Sequence, residues 1–517
     1  MLESSLTMLD RPTLRLLLVA LPGLAGCNTI SGAEGIDLPG GGQGGAAPPP
    51  AMAVVDGVSI DQIAIYQGVK LQLMQAGAPV QPTLAVVEGH DALLRVFYSA
   101  QPAYNGQPVT ARLTLGEQPP IDLPVTLAGA STEQGLPSTV NFEIPGTSLV
   151  APLDYRVELL QPPEQTTGGN AAAAYPAAGA HDPLPIQSSG PQVKIVLVPI
   201  AYGADGSDRL PDTSDGQLQL YQEWFYGIYP TAKADLSVGP TMNWGGSVDA
   251  MGNGWENLLN ALTQFRAQQH PDPDQYYFGL FSPASSIQAF CGGGCVAGLS
   301  WQTNPGDAGM RAGIGLGFSG DDAPQTAVHE VGHLHGLPHA PGCGAQGADP
   351  NYPYPDGTIG VWGYSTPRKQ LFAPDATVDM MTYCTPIWIS DYNYIKLFER
   401  IRFVNGLGAK ILPPQDAVPA SYERVAVGLD GVARWLEPLE LDSAPGGEPI
   451  TAQVHVGGQV VPVQGSWHRY SHLQGGMLLF REPPILPTKV ELSVDGHWYS
   501  ASRDQLTHLT LTDRRTR

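Results

Sequence analysis

The chain has 517 residues, a formal net charge of -22 and only 14% charged residues, with 62 Gly and 49 Pro. So acidic a surface excludes nucleic acid as a natural partner, and the Gly and Pro content describes a loop-rich protein. At roughly 100 to 200 residues per domain the chain should hold about three domains.

At the N-terminus Arg11 and Arg15 precede the apolar residues 16–21 and then Leu24-Ala25-Gly26-Cys27. This resembles a bacterial lipoprotein signal with its lipobox L-A-G-C. The resemblance implies a signal over residues 1–27, cleavage before Cys27, lipid on its thiol and a membrane tether that does not span. An ordinary secretory signal with an incidental cysteine is the rival reading, and Met8 is an alternative start. Asn28 in place of Asp after the cysteine resembles lipoproteins sent to an outer membrane, so the expected location is the cell envelope, at the outer membrane or cell surface. No other segment reaches the roughly 18 apolar residues of a membrane helix.

Residues 28–52 read as a flexible linker, because Gly, Pro and Ala with hardly a charge bury too little surface to fold. Over residues 53–161 short apolar or alternating runs recur between Gly, Pro and Asn turns, which predicts an N-terminal β-sandwich. A second low-complexity stretch, residues 162–190, is expected as a linker. Residues 193–200 form a nearly continuous apolar run suited to a strand buried on both faces, and they open a catalytic domain over residues 191–408. Helices are predicted at residues 214–229 and 255–268, strands at 276–281, 296–301 and 311–318. From residue 409 to 517 short strands return as a C-terminal β-sandwich. Its Trp467, His468, Tyr470, His472, His497, Trp498 and Tyr499 read as core and rim aromatics, with a glycan-stacking surface as the alternative.

The most informative line is His329-Glu330-Val331-Gly332-His333-Leu334-His335-Gly336-Leu337-Pro338-His339, or HExxHxxGxxH. Four residues of helix advance about 400°, so His329 and His333 share one face a turn apart and can aim at one ion. Gly336 can take the positive φ that ends the helix and turns the chain back, so that His339 arrives as the third ligand. Three protein ligands leave the fourth position of a catalytic Zn2+ to water, with Glu330 beside the ion as general base. By chance the pattern should arise on the order of a few times in a hundred thousand such chains. His335 lies on another helix face and reads as a packed imidazole or one behind the ligands, with contact to the metal as the alternative. Asp321 and Asp322 are placed to cap the helix.

Asp379-Met380-Met381-Thr382-Tyr383-Cys384 follows, and then Trp388-Ile389-Ser390-Asp391-Tyr392. Here the chain resembles the metzincins, which pair the zinc motif with a methionine-bearing turn. The resemblance implies His329, His333 and His339 as ligands, Glu330 as base, Met381 as the turn methionine and Tyr383 as a phenol that ligates the metal or stabilises the oxyanion. Met380 is the alternative turn residue. Asp375 and Asp379 read as turn residues, with a ligand-orienting role as the alternative.

Over residues 191–405 the chain is closer still to the bacterial mucin-cleaving metzincins of the StcE type. That implies a glycoprotein endopeptidase with one catalytic Zn2+. The expected fold is an α+β metzincin domain, a mixed twisted sheet plus helices, flanked by two all-β sandwich-like domains.

With Cys27 lipidated, Cys291, Cys295, Cys343 and Cys384 remain, and four thiols allow three connectivities. Export favours disulfides. Pairing Cys343 with Cys384 fastens two walls of the zinc site, and Cys291 with Cys295 closes a small Gly-rich loop; a second zinc on the four thiolates is the rival. An extended substrate should pair with the strand at residues 296–301. The expected protein is a lipid-anchored, monomeric zinc endopeptidase of extracellular proteins or glycoproteins. The alternative is a glycan-binding or adhesin lipoprotein with a non-catalytic zinc domain.

Overall fold

The computed structural model describes residues 52–102, 104–165, 170–177, 179–408 and 419–509. The signal, Cys27 and the linker up to residue 51 lie outside the described residues. The architecture is mixed α/β, mostly strand with few helices, and among the described residues no helix is long and apolar enough to cross a membrane.

Two antiparallel sheets build the N-terminal part. In one, the long strand Val58–Gln75 pairs with Ala92–Ala100, which pairs with Val140–Ile144. In the other, Asp154–Gln161 pairs with Val109–Leu115, which pairs with Ile121–Val125. Alternation turns Ile63, Ile65, Leu94 and Val96 of the first toward Ala111, Leu113, Val157 and Leu159 of the second, in one buried cluster.

The long strand is apolar on both faces, so its outer face also needs cover. Gly363–Ser365, from the expected catalytic segment, pairs with it at Gly68 and Val69, and Tyr364 packs there with Tyr66, Leu93 and Phe97. Structure therefore crosses the boundary expected from sequence. The stretch expected as a linker is likewise part of this body. Ala174–Tyr175 and Asp182–Pro183 pair with Asp154–Gln161, and Ile186–Gln187 runs parallel to Val86–Val87. Ala173, Ala174, Tyr175 and Leu184 are its buried hydrophobic residues.

The next sheet has Val193–Tyr202 at its centre, parallel to Ala234–Val238 on one side and Gln275–Phe281 on the other. Ala312–Leu316 follows in parallel, and Gly298–Ser300 closes the row as an antiparallel edge. Helices cover the parallel strands, which explains their unbroken apolar runs. The helices Asp215–Ile228 and Trp255–Gln268 bury Tyr221, Phe225, Leu258 and Leu262 fully.

The C-terminal sandwich is corrected to a single seven-stranded antiparallel sheet. A bridge from Leu436 in one edge strand to Thr507, beyond the other edge, shows the sheet curled upon itself. Val425, Trp435, Val454, Leu478 and Leu492 fill its inside. Its outer face docks on the catalytic part, where buried Arg424 donates to the Gln264 side chain at 3.0 Å.

Candidate metal centre

The motif helix runs Asp322–Leu334 and buries every residue from Ala327 on. Asp321 stands at its N-terminus without a side-chain cap bond, a correction to the expected capping; its carboxylate instead accepts from Trp224 Nε1 at 2.8 Å and pairs with Arg368. At the other end Gly336 takes φ 81°. The N–H groups of Gly336 and Leu337 return to the carbonyls of His333 and Gly332 at 2.8 and 3.0 Å, a Schellman closure. A Cβ on Gly336 would also collide with the Arg400 guanidinium and the Thr303 carbonyl. The reversal delivers His339 back to the helix face.

His333 Nε2 lies 3.2 Å from His329 Nε2 and 3.1 Å from His339 Nε2. These separations suit one ion about 2.0 to 2.1 Å from each nitrogen. Each ring is fixed by its other nitrogen: Nδ1 of His329 donates to Met380 O at 2.6 Å, that of His333 to Leu337 O at 2.7 Å and that of His339 to Gln346 O at 2.6 Å. With Nδ1–H used outward, the three Nε2 lone pairs converge, which is the tautomer a metal requires. Burial is the main cause that lowers all three pKa values, to about 3 for His329 and about 4 for His339, so the imidazoles stay neutral. The residues fit a zinc ion.

Glu330 is buried and held from two sides. Its Oε2 accepts from Ser300 Oγ at 2.6 Å and from Ser471 Oγ at 3.1 Å. Its Oε1 lies 2.6 Å from His472 Nε2, without the alignment of a hydrogen bond. Burial alone would raise this carboxyl; His472, His329 and the Ser300 hydroxyl outweigh it and hold the pKa below its ordinary value. The carboxylate is therefore ionised at neutral pH.

Met380 and Met381 are both fully buried beneath the helix. Met380 supplies the carbonyl for His329, while Met381 Sδ sits where a Cβ on Gly332 would meet it at 2.7 Å. Asp379 accepts from Met381 N at 2.8 Å, Ser390 N at 2.9 Å and Asn393 Nδ2 at 2.8 Å, and so shapes the turn. Tyr383 is 43% exposed, and its hydroxyl meets His472 Nδ1 at 2.8 Å. Burial first, then the charge of Glu330, pushes this phenol above its usual range, which keeps it protonated.

His335 stacks on Tyr276 with ring centroids 4.2 Å apart and stays outside the histidine group. The disulfides are Cys291–Cys295 and Cys343–Cys384. Sequence reasoning missed His472, Ser471, Ser300 and the carbonyls of Gln346 and Leu337. From sequence His472 reads as one of the core and rim aromatics of the C-terminal part, yet its ring nitrogen joins the other three within 4.8 Å. No local spacing signals a residue that arrives from another sheet. A cleft of about 380 Å³ opens from this centre, lined by Cys295 to Gly298, Thr326, Glu330, Tyr383, Ile387 and His472.

Comparison with known proteins gives the class first: residues 299–384, which carry the motif and the methionine turn, match the family described as Peptidase M66. The matches support a metalloprotease. More particularly, the chain is similar to dictomallein of Burkholderia mallei (strain SAVP1), 25% identical over 360 residues, covering 61% of this chain and 47% of that protein. Dictomallein of Burkholderia pseudomallei (strain K96243) is 24% identical over the same length. The chain spans about half the length of these curated relatives. Among solved structures, metalloproteinase-II from Bacteroides fragilis aligns at 13% identity and TM-score 0.24, covering 65% of this chain and 87% of that one.

Proposed function

We propose that the chain is a zinc endopeptidase of the metzincin type that hydrolyses peptide bonds of extracellular proteins, O-glycosylated ones included, and is tethered to the cell envelope by lipid on Cys27. The observation that carries the reading is the convergence of three buried, neutral Nε2 atoms beside one ionised carboxylate at an open cleft.

His329, His333 and His339 would hold the ion, which when bound supplies Lewis acidity and a water acidified towards pH 7. The carbonyls of Met380, Leu337 and Gln346 keep the ligand rings from turning. Glu330 takes the proton of the attacking water and passes it to the leaving amine; Ser300 and Ser471 fix one of its oxygens, and the other lies beside His472. Tyr383 and His472 form a hydrogen-bonded pair at the cleft, and in this reading they would contact the carbonyl oxygen as it gains charge.

Digestion of casein and of a mucin-like glycoprotein by purified, zinc-loaded protein tests this reading. Cleavage that stops with a chelator supports it. Binding of glycoprotein with no cleavage by the zinc-loaded protein would point to the adhesin reading instead.

A further inference from the structure

Four imidazoles, not three, surround the centre. The ring centroids of His329, His333 and His339 are 4.8, 5.4 and 4.6 Å apart, and that of His472 stands 5.0, 5.2 and 4.9 Å from the same three. Rings that bind one tetrahedral ion through Nε2 at about 2.0 to 2.1 Å have centroids about 5 Å apart. His472 is thus as near to each ligand ring as those rings are to one another, and it takes the fourth corner.

The nitrogens follow the same arrangement. Nδ1 of His472 is engaged by the Tyr383 hydroxyl at 2.8 Å, as Nδ1 of each other ring is engaged by a carbonyl. Donation from Nδ1–H to the phenol oxygen leaves the lone pair on Nε2. That Nε2 is buried without an aligned hydrogen-bond partner, although Glu330 Oε1 is 2.6 Å away. A ring nitrogen of His472 lies within 4.8 Å of those of the three ligands, so a small rotation of the side chain brings it to bonding distance of a shared ion.

The attacking water needs the same place. To hand its proton to Glu330 it must stand about 2.6 to 3.2 Å from that carboxylate, at the open corner of the three imidazoles. His472 Nε2 stands at that distance already. Its main chain is held, since Ser471 N donates to Ser300 O at 2.9 Å and the Tyr470 ring stacks on Trp301 at 4.8 Å. Its side chain is 13% exposed and lines the cleft together with Tyr383.

We infer that His472 is a fourth metal ligand that closes the resting site, and that a peptide entering the cleft must displace its side chain before water can stand beside Glu330. The inference rests on the endopeptidase reading above. Four protein ligands make the closed set of a structural zinc, whereas a catalytic one keeps a position open. Rotation of the His472 side chain turns the first into the second with no movement of the main chain. Once displaced, His472 is free for the contact with the carbonyl oxygen given above.

Zinc K-edge X-ray absorption of the zinc-loaded full chain counts the imidazoles without relying on activity. We expect four in the wild type, and three with one oxygen in His472→Ala. Zinc affinity, measured by competition with a chelator, should fall at least about tenfold in the variant. The wild-type spectrum decides the matter even if the variant fails to fold. Three imidazoles and one oxygen in the wild type overturn the inference alone, because that oxygen is the water the endopeptidase reading needs. A protein that takes up no zinc overturns that reading, and this inference with it.

Discussion

A Cβ on Gly298 would fall 2.5 Å from Oε1 of Glu330 and 2.6 Å from its Cγ. The edge strand is therefore glycine where it passes Glu330, because the carboxylate occupies the space a side chain needs. Gly298→Ala must push Glu330 from its place while leaving the bonds that orient the three histidines intact. A displacement near 1 Å at a reacting group costs about a hundredfold in rate. We expect kcat/KM to fall by that order with zinc content and thermal stability near wild type. A fully active Gly298→Ala would show that Glu330 is not held where the structure places it.

Removing zinc should destabilise the folded protein as well as inactivate it, because the three converging lone pairs bind the ion in the folded state only. At free zinc about a thousand times Kd the stabilisation is about 4 kcal/mol. Calorimetry with and without a chelator should show a lower melting temperature for the metal-free form, and His339→Ala should remove most of that difference. Identical melting curves for wild type in both conditions would contradict the metal site.

The two disulfides should differ in worth. Cys343–Cys384 closes a separation of 41 residues and Cys291–Cys295 only 4. On the chain-entropy model these correspond to about 4 and about 2 kcal/mol. Replacing Cys343 and Cys384 by serine should lower the melting temperature more than replacing Cys291 and Cys295. It should also lower activity, since Cys384 follows Tyr383 at the cleft. The opposite order of stability would count against the clamp.

Acid should loosen the seat of the N-terminal sheets on the catalytic part. His90 is buried at that contact, its Nδ1 2.7 Å from Thr231 O and its ring stacked on Tyr226 at 4.2 Å. Burial lowers its pKa from 6.5, more than Thr231 and Asp91 raise it. The folded state therefore stays neutral where the unfolded chain takes up a proton. Stability contributed by His90 is present above pH 6.5 and is lost as pH falls below it toward the depressed folded value. With zinc bound, His90→Phe should keep the stack and flatten the decline of melting temperature between about pH 7 and pH 5. An unchanged slope would remove His90 from the account.

What the sequence made legible was local. Residues 322–334 form a helix because apolar positions and two histidines repeat at helical spacing, and Gly336 ends it where only glycine tolerates both the positive φ and the nearby Arg400. The parallel strand Val193–Tyr202 was visible as an apolar run, since a strand covered on both faces has no polar side to show. Long-range placement left no such trace. Tyr364 packs against Tyr66 from the neighbouring expected domain, and His472 reaches Glu330 from a different sheet. The curl of the C-terminal sheet was also hidden, because alternation alone does not distinguish two packed sheets from one closed on itself.

The most direct test of the central claim is cleavage of casein by zinc-loaded wild type beside zinc-loaded Glu330→Gln, with zinc content measured in both. The account predicts equal zinc and a loss of about a hundredfold to ten-thousandfold in the variant, the range for a general base. Activity within about tenfold of wild type, with zinc still bound, would contradict it.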